Sequence, residues 1–292
     1  MKQTRGIRFT KMEGVGNDYV FVNCLEEGEH HDWPRLSREI SDRHYGVGSD
    51  GLILVMASET ADFRMRIFNS DGSEGDMCGN GMRCFARLVY EHGLVAKTEM
   101  TVETRAGLIR PRLELVGGVV ESVSVTMGAP SLRPQDVPIV VADGREFAVD
   151  VPVTADGRTY LVTGVRMGNP NGVVFVEDLS RVDLESEGRA LESSSAFPRK
   201  ANIEFVQVLS RTRIRMIVYE RGSGVTLACG TGASASLVAS AFTGRTGRSA
   251  TVDLTGGSLS IEWTPDGQVF MTGPAVEIAQ GVFTRWKEGG PG

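Results

Sequence analysis

Alternating apolar and polar residues run through much of the chain and predict a protein built mainly of short β-strands. The alternation is clear in VESVSVTM (120–127) and in MRIF (65–68), which ends in an aromatic residue. Asp-Gly pairs at 143–144 and 156–157 predict hairpin turns between such strands. A Pro-Asp-Gly turn at 265–267 separates two more strands near the C-terminus. We therefore expect mainly antiparallel sheets.

Two segments have helical instead of strand periodicity, and each follows a cysteine in the pattern Cys-Gly-(Asn/Thr)-Gly, at 78–81 and 229–232. The positions that recur at helical spacing are Phe85, Leu88, Val89 and His92 in the first segment, and Ala233, Leu237, Val238 and Phe242 in the second. Each predicted helix ends at a glycine 15 residues after its cysteine, Gly93 and Gly244, where a C-terminal cap is expected.

The two halves of the chain repeat each other. MRIFNSDGSEGDMCGNG (65–81) aligns without a gap on MIVYERGSGVTLACGTG (216–232), an offset of 151 residues. Upstream, GVGNDYVFVN (14–23) resembles MGNPNGVVFVED (167–178), and Asn17 and Asn169 differ by 152. A nearly constant offset shared by several motifs indicates an internal duplication.

The duplication predicts an α+β fold with two pseudo-symmetric domains, each a mainly antiparallel sheet around a central helix. We expect residues 1–128 to form the first domain, completed by residues 277–292, because the last strand returns to it. Residues 129–276 form the second domain. The two domains are expected to face each other across a cleft.

Composition excludes several classes of function. The 292 residues are 41% hydrophobic and carry a net charge of −6 without a block of like charge, so nucleic acid is not an expected partner. The longest apolar run, LILVMA (52–57), is too short to span a membrane. The N-terminal segment lacks the apolar core of a signal peptide, and four cysteines are too few for a disulfide framework. We expect a cytoplasmic protein without a bound metal.

The paired cysteines are the strongest chemical signal. A cysteine at a helix N-terminus is expected to have a lowered pKa and a stabilised thiolate. The neighbouring glycines leave backbone N–H groups open to an anionic ligand; they are Gly79, Gly81, Gly230 and Gly232. Two such turns on opposite sides of a carbon atom supply a base and an acid for inverting a stereocentre. This pattern predicts a racemase or epimerase that needs no cofactor.

Two other classes fit the same residues. A protein that clamps an amino acid between helix ends without reacting is one, and a thiol-redox protein that forms a Cys78–Cys229 disulfide is the other. Either cysteine turn taken alone is more typical of an inert, buried thiol. Cys24 and Cys84 are expected to be structural.

Five segments carry a family resemblance: NSDGSEGDMCGNGMRC, ERGSGVTLACGTGAS, GNDYVFV, DRHYGVGSDGLILV and MGNP. Together they resemble the diaminopimelate epimerase family, from about Phe9 to Phe283. The resemblance implies an isomerase that converts LL-diaminopimelate to meso-diaminopimelate in lysine and cell-wall biosynthesis. It also implies two mirrored domains, no pyridoxal phosphate or other cofactor, and a homodimer.

The resemblance also implies roles for individual residues. Cys78 and Cys229 would be the acid/base pair, with Glu220 beside the sulfurs. Gly79-Asn80 and Gly230-Thr231 would bind the α-carboxylate at the reacting carbon. The distal amino-acid end would be bound by Asn17, Asn69, Asn169, Asn202 and Arg221. Without the resemblance, other interpretations also fit these residues. Asparagines such as Asn17, Asn69 and Asn169 are common in turns, and an arginine such as Arg221 is common in an exposed loop.

One position departs from the family pattern. The family usually continues Asn-Pro with histidine, whereas this chain has Asn171 after Asn169-Pro170. An asparagine side chain forms hydrogen bonds but does not titrate. The departure leaves open a racemase or epimerase of another amino acid in the same family.

Overall fold

The structure is a computed structural model that describes residues 6–28 and 32–286. Contacts divide the chain into two compact units. The first consists of Met1–Val125 with Pro274–Gly292, and the second is Thr126–Gly273. The boundaries predicted from the sequence are 128/129 and 276/277.

The strands, in chain order, are β1 (Ile7–Gly14), β2 (Asn17–Asn23), β3 (Gly51–Met56), β4 (Phe63–Asn69), β5 (Glu74–Gly75), β6 (Val102–Thr104), β7 (Gly107–Ile109), β8 (Arg112–Val116), β9 (Val119–Gly128), β10 (Val151–Ala155), β11 (Arg158–Met167), β12 (Asn169–Phe175), β13 (Asn202–Ser210), β14 (Arg213–Glu220), β15 (Gly224–Thr226), β16 (Ser249–Leu254), β17 (Gly257–Trp263), β18 (Val269–Gly273) and β19 (Val276–Phe283). The helices are α1 (Cys24–Glu27), α2 (Trp33–Ser41), α3 (Gly79–Glu91), α4 (Leu184–Glu192) and α5 (Gly230–Phe242), with a 3₁₀ turn at Leu179–Arg181.

The first unit is built on a sheet with the strand order β19-β1-β2-β3-β4-β6-β7, and β5 pairs with β4. The pairs β2–β3 and β4–β6 are parallel, and the other pairs along this order are antiparallel. Strands β8 and β9 form an antiparallel hairpin. The last strand, β19, pairs with β1 in this sheet.

The second unit repeats this topology. Its strand order is β10-β11-β12-β13-β14-β16-β17-β18, and β15 pairs with β14. The parallel pairs β12–β13 and β14–β16 stand where the first unit has β2–β3 and β4–β6. Strand β10, which precedes β11 in the chain, takes the place that β19 takes beside β1. The matching orders confirm the predicted α+β fold with a duplicated, mainly antiparallel unit.

The central helices α3 and α5 end where the sequence predicts. Helix α3 ends at Glu91 and is followed by Gly93 with φ +71°; α5 ends at Phe242 and is followed by Gly244 with φ +73°. Glycine is favoured at both places because the left-handed backbone region is strained for other residues. Within its own unit, α3 packs on β1 and β2, and α5 packs on β11, β12 and β13.

The prediction of one helix per half is incomplete. Helix α2 begins after Asp32, whose side chain caps Arg35 N–H, and it packs Leu36 and Ile40 into the core of the first unit. Helix α4 begins after Asp183, which caps Ser186 N–H. Both caps are signals that the sequence contains. None of the helices among the described residues is long and apolar enough to span a membrane.

One predicted hairpin is wrong and another is confirmed. Asp156 and Gly157 turn β10 into β11 with φ +45° and +75°, the backbone that an Asp-Gly hairpin turn requires. Around Asp143-Gly144 the structure has no strand, although these residues are among those described. The side chain of Asp143 instead binds the Arg145 guanidinium, which donates to Val149 O. This local pairing orders a loop and not a sheet.

Candidate active site

Cys78 is the N-cap residue of α3, as its place before Gly79 predicts. Its backbone is extended (φ −131°, ψ 122°), and its sulfur accepts a 3.4 Å hydrogen bond from the Gly81 N–H. The sulfur therefore occupies the position that a Ser, Thr, Asp or Asn oxygen usually takes at a helix start. Cys78 is partly buried.

A chain of hydrogen bonds connects the Cys78 sulfur to the interior of the first unit. The thiol donates to Asn17 Oδ1 at 3.4 Å, and Asn80 Nδ2 donates to the same oxygen at 3.3 Å. Asn80 Oδ1 accepts a 2.7 Å bond from the completely buried Arg83. Asn17 Nδ2 donates to Asp50 at 2.6 Å. Three of the predicted site residues thus form one connected group, and Arg83 extends it into the core.

Tyr19, which is not among the residues predicted from the sequence, also contacts Cys78. Its phenol is almost completely buried and is hydrogen-bonded to the Cys78 side chain. Burial raises the pKa of Tyr19 well above its usual value, so the hydroxyl keeps its proton. A protonated phenol donates to the sulfur, and this bond lowers the pKa of the Cys78 thiol.

Cys229 is the N-cap residue of α5 and repeats the arrangement of Cys78. Its backbone is extended (φ −128°, ψ 111°), and its sulfur accepts a 3.4 Å hydrogen bond from the Gly232 N–H. Thr231 Oγ1 lies 3.3 Å from the sulfur, and Asn202 Nδ2 donates to it at 3.7 Å. The residue is 5% exposed.

Asn202 joins Cys229 to two other predicted residues. Asn202 Oδ1 accepts a 2.9 Å bond from the Arg221 N–H, and its Nδ2 also donates to Asn171 Oδ1 at 3.3 Å. Asn171, which is completely buried, donates to Asn169 O at 2.9 Å. The Arg221 side chain is exposed, and its guanidinium donates to Arg199 O at 3.4 Å.

Two carboxyl groups face Cys229. Glu220 is the last residue of β14 and accepts a hydrogen bond from the Thr226 hydroxyl. Glu204 lies on β13 and is completely buried. Glu220 is among the residues predicted from the sequence, whereas Glu204 is not.

The expectation of a lowered pKa at the two cysteines is wrong. Burial raises the pKa of Cys78, and the opposing hydrogen bonds from Gly81 and Tyr19 do not cancel it. Burial raises the pKa of Cys229 well above its usual value, and the charges of Glu220 and Glu204 raise it further. The helix amides act in the predicted direction, but the loss of solvation is the larger effect.

Asn69 is hydrogen-bonded to Ser73 in a turn after β4. It ends β4, where its Nδ2 donates to Ser73 Oγ at 2.9 Å and its N–H donates to Ser73 O at 2.8 Å. These bonds form a tight turn. Cys24 and Cys84 are buried, and burial raises the pKa of Cys84 to about 12. The expectation that both are structural agrees with their placement.

The duplication contains the signal for the residues that were missed. Tyr19 and Asn171 differ by 152 positions and occupy the third place of β2 and of β12. Ile53 and Glu204 differ by 151 and occupy the third place of β3 and of β13. At these two places the halves differ in chemistry, and in the second half Glu204 is the group that faces a cysteine.

A family model agrees with this geometry. The model described as diaminopimelate epimerase matches residues 9–133 and 163–278, well over half of the 292 residues. The chain belongs to the diaminopimelate epimerase family. Both cysteine turns lie within the matched residues.

Curated relatives with that name match over almost their whole length. A diaminopimelate epimerase of Moorella thermoacetica is 52% identical over 278 residues, which cover 95% of this chain and 99% of the relative. One of Agathobacter rectalis is 48% identical over 281 residues, which cover 94% and 98%. These relatives support membership of the family along nearly the whole chain.

More distant solved structures share the fold. A hydroxyproline epimerase from Agrobacterium vitis superposes with a TM-score of 0.69 at 15% identity, covering 97% of this chain and 94% of that one. A phenazine biosynthesis protein of the PhzF family from Bacillus anthracis gives a TM-score of 0.67 at 19% identity, covering 94% and 98%. At these identities the likeness concerns the fold alone.

Proposed function

We propose that this chain epimerises LL-diaminopimelate to meso-diaminopimelate without a cofactor, with Cys78 and Cys229 as the acid/base pair. One sulfur, as thiolate, takes the proton from the α-carbon, and the electron pair of the C–H bond remains on that carbon. The other sulfur, as thiol, delivers its proton to the opposite face. The reaction therefore requires one cysteine on each face of the α-carbon and ends with the two protonation states exchanged.

The carbanion places charge on the α-carboxylate. Gly79-Asn80 and Gly230-Thr231 open the helices α3 and α5, whose first N–H groups carry partial positive charge. We assign the α-carboxylate to these N–H groups because they stabilise the charge that develops there. We assign the distal amino-acid end of diaminopimelate to Asn17, Asn69, Asn169, Asn202 and Arg221. The Arg221 guanidinium would bind the second carboxylate of the substrate. We propose that Glu220 acts on the protonation of the Cys229 sulfur.

One observation carries the proposal: each duplicated unit has a cysteine at the N-cap of its central helix, held by the same backbone bond. An inert buried thiol needs no such pair. Membership of a family whose curated relatives bear the name diaminopimelate epimerase supports the choice of substrate.

Exchange of the substrate α-hydrogen in heavy water tests the proposal. Wild type should incorporate deuterium at the α-carbon of both LL- and meso-diaminopimelate, whereas Cys78→Ala and Cys229→Ala should lose epimerisation. Cys84→Ala is the matched control, because Cys84 lies on α3 but is buried away from solvent. Absence of exchange in wild type would contradict the proposal and favour a non-catalytic amino-acid-binding protein.

The second candidate is a racemase or epimerase of another amino acid in the same family. Asn171 favours it, because the family resemblance leads one to expect histidine there. The same exchange experiment with mono-carboxylic amino acids decides between them. Exchange with these substrates and none with diaminopimelate would identify the second candidate.

We also propose a cytoplasmic homodimer made of chains that each carry a complete cysteine pair. The family resemblance supports this expectation. Light scattering of the purified protein measures its mass in solution, and a mass equal to the chain's 31.5 kDa would contradict the dimer.

A further inference from the structure

Glu204 is a buried carboxyl group without a hydrogen-bond partner among the described residues. Its side chain is 0% exposed, and neither carboxyl oxygen has a partner in the part of the chain that the structure describes. An isolated buried carboxyl is costly, because both its hydration and its hydrogen bonds are lost. Such a group calls for a reason other than stability.

The carboxyl lies against the start of α5, next to the Cys229 sulfur. A Cβ atom placed on Gly232 would stand 2.7 Å from Glu204 Oε1 and 3.3 Å from Cys229 Sγ. One small region thus adjoins the carboxyl oxygen, the sulfur and the first turn of the helix. A side chain at position 232 would crowd the carboxyl oxygen, and glycine avoids this contact.

The first unit shows that the fold does not need a carboxyl here. Ile53 pairs with Phe21 in the first unit as Glu204 pairs with Val173 in the second. A Cβ atom placed on Gly81 would stand 2.6 Å from Ile53 Cδ1, the same approach that Glu204 makes to Gly232. An apolar side chain therefore fills this position in the duplicate, and the carboxyl is peculiar to the Cys229 side.

The charges around the two sulfurs differ accordingly. Within the second unit the ionisable groups that face Cys229 are Glu220, from β14, and Glu204, from β13. Strand β12 and helix α5 also pack against this region, and neither carries an ionisable side chain. In the first unit Cys78 faces the hydroxyl of Tyr19 and the positive charge of the buried Arg83.

We propose that Glu204 is a positioning residue that keeps Cys229 in its thiol form, so that Cys229 carries the proton of the cysteine pair in the resting protein. This inference rests on the proposed function. The carboxyl and the sulfur share a poorly hydrated region that tolerates one negative charge more readily than two. A carboxyl ionises about four pH units below a thiol, so it takes that charge first and the sulfur keeps its proton.

The raised pKa values of both groups support this assignment. Burial raises the pKa of Glu204 well above its usual value, with the charge of Glu220 as the second cause. The charge of Glu204 in turn contributes to the raised pKa of Cys229. On the other side, Arg83 and Tyr19 both lower the pKa of Cys78. Cys78 is then the base of the resting protein.

Protonation of each thiol can be followed without substrate. The protein is labelled with cysteine carrying ¹³C at Cβ, and the ¹³C shift of each cysteine is titrated from about pH 6 to about pH 12, because the usual thiol pKa is about 8.5 and burial raises the pKa of both cysteines. Two variants are compared with wild type: Glu204→Gln, which keeps the shape, and Glu204→Ile, which introduces the residue of the duplicate. Glu192→Gln, a buried carboxyl on α4 paired with Lys200, is the control.

Both Glu204 variants should lower the pH at the midpoint of the Cys229 thiol titration by about one unit, because each removes the negative charge of the Glu204 carboxylate. The midpoint of Cys78 should stay unchanged in both, and Glu192→Gln should change neither cysteine. A lowered midpoint in Glu204→Ile but not in Glu204→Gln would mean that packing, not charge, acts on the sulfur, and would overturn the proposal. An unchanged midpoint in both would overturn it as well.

The result of the thiol titration does not depend on the result of the exchange experiment that tests the proposed function. The titration contains no substrate, so it is decided even if wild type fails to exchange the α-hydrogen of diaminopimelate. With active protein, the alkaline limb of kcat/KM reports loss of the Cys229 proton. That limb should move to lower pH by about one unit in both Glu204 variants.

Discussion

Asn202 and Asn171 are direct partners in the parallel pair β12–β13, and the amide of Asn202 donates a 3.3 Å hydrogen bond to Asn171 Oδ1. The same amide donates to Cys229 Sγ at 3.7 Å, while Asn202 Oδ1 accepts from the Arg221 N–H. Asn202 thus connects the sulfur with the start of the loop that carries Arg221, and Asn171 is bonded to the same Asn202 amide. Because neither amide titrates, this link keeps its hydrogen-bonding pattern across the pH range in which the cysteines change charge.

Asn202→Ala should destabilise the protein and impair catalysis together. It leaves Asn171 Oδ1 and the Arg221 N–H without their partner, which costs about 1–3 kcal/mol of the free energy of unfolding. It also releases the Arg221 loop, so KM for diaminopimelate should rise. Urea unfolding and steady-state kinetics measure the two effects.

The control for Asn202→Ala lies on the same strand. The partly exposed Gln207 side chain donates to Glu177 O at 2.7 Å, and Gln207→Ala should change the free energy of unfolding by less than about 0.5 kcal/mol. An equal loss of stability in both variants would show that the buried hydrogen bonds of Asn202 contribute no more to the free energy of unfolding than the Gln207 hydrogen bond does.

Tyr19→Phe should raise the pKa of Cys78. The phenol donates to the Cys78 sulfur and thereby lowers the pKa of the thiol, so its removal acts in the opposite direction. A hydrogen bond to a charged group of about 1.5 kcal/mol corresponds to about one pH unit. If Cys78 is the base, the acidic limb of kcat/KM should move up by about that amount.

The matched control for Tyr19→Phe is Tyr160→Phe. Tyr160 is also buried and hydrogen-bonded, but its hydroxyl donates to Glu187 at 2.8 Å in the second unit. Its loss should leave the acidic limb in place. An unshifted limb in Tyr19→Phe would mean that the phenol does not act on the base.

The sequence predicted the cysteine turns because their signals are local. Helical periodicity begins directly after each Cys-Gly-X-Gly segment, and Gly93 and Gly244 mark both helix ends. Glu204 was missed because NIEF looks like a strand with one solvent-facing side. In the structure α4 and α5 both pack on β13, so both sides of this strand are buried.

Arg83 was missed for a related reason. An arginine in the middle of a helix usually reaches solvent, but α3 is surrounded so completely that Arg83 is 0% exposed. Its target, the carbonyl of Pro274, is 191 residues away in the chain. Contacts at that separation depend on the tertiary fold, which no local pattern contains.

Arg83→Met should destabilise the first unit strongly. The guanidinium donates to Pro274 O at 3.0 Å and to Asn80 Oδ1 at 2.7 Å, and both acceptors would lose a charged donor. We expect a loss of about 2–3 kcal/mol in the free energy of unfolding. Asn80 would also lose the bond that orients it towards Asn17, so KM should rise.

Arg87→Met is the control for Arg83→Met. Arg87 lies one helical turn later and donates to Ala275 O, but its side chain is 21% exposed and also pairs with Glu91. Water can replace its bonds, so the loss of stability should be smaller and KM should not change. A larger effect of Arg87→Met would contradict the role given to Arg83.

Glu204 should make the stability of the wild-type protein fall as pH rises. In the unfolded chain its carboxyl has a pKa near the usual 4.5, whereas burial raises the pKa in the folded state. Between these two values the unfolded chain is ionised and the folded protein keeps the proton, so unfolding releases a proton and becomes easier with increasing pH. The slope is at most about 1.4 kcal/mol per pH unit.

Glu204→Gln and Glu204→Ile remove this titration. Relative to wild type, both variants should therefore gain stability as the pH rises above about 4.5, until Glu204 itself ionises in the folded protein, and the slope should be the same although their side chains differ in shape. Urea unfolding at several pH values measures the difference in free energy of unfolding. A difference that stays constant over this range would show that the folded protein does not hold the Glu204 proton, because only a group that binds its proton more tightly in the folded state produces such a slope.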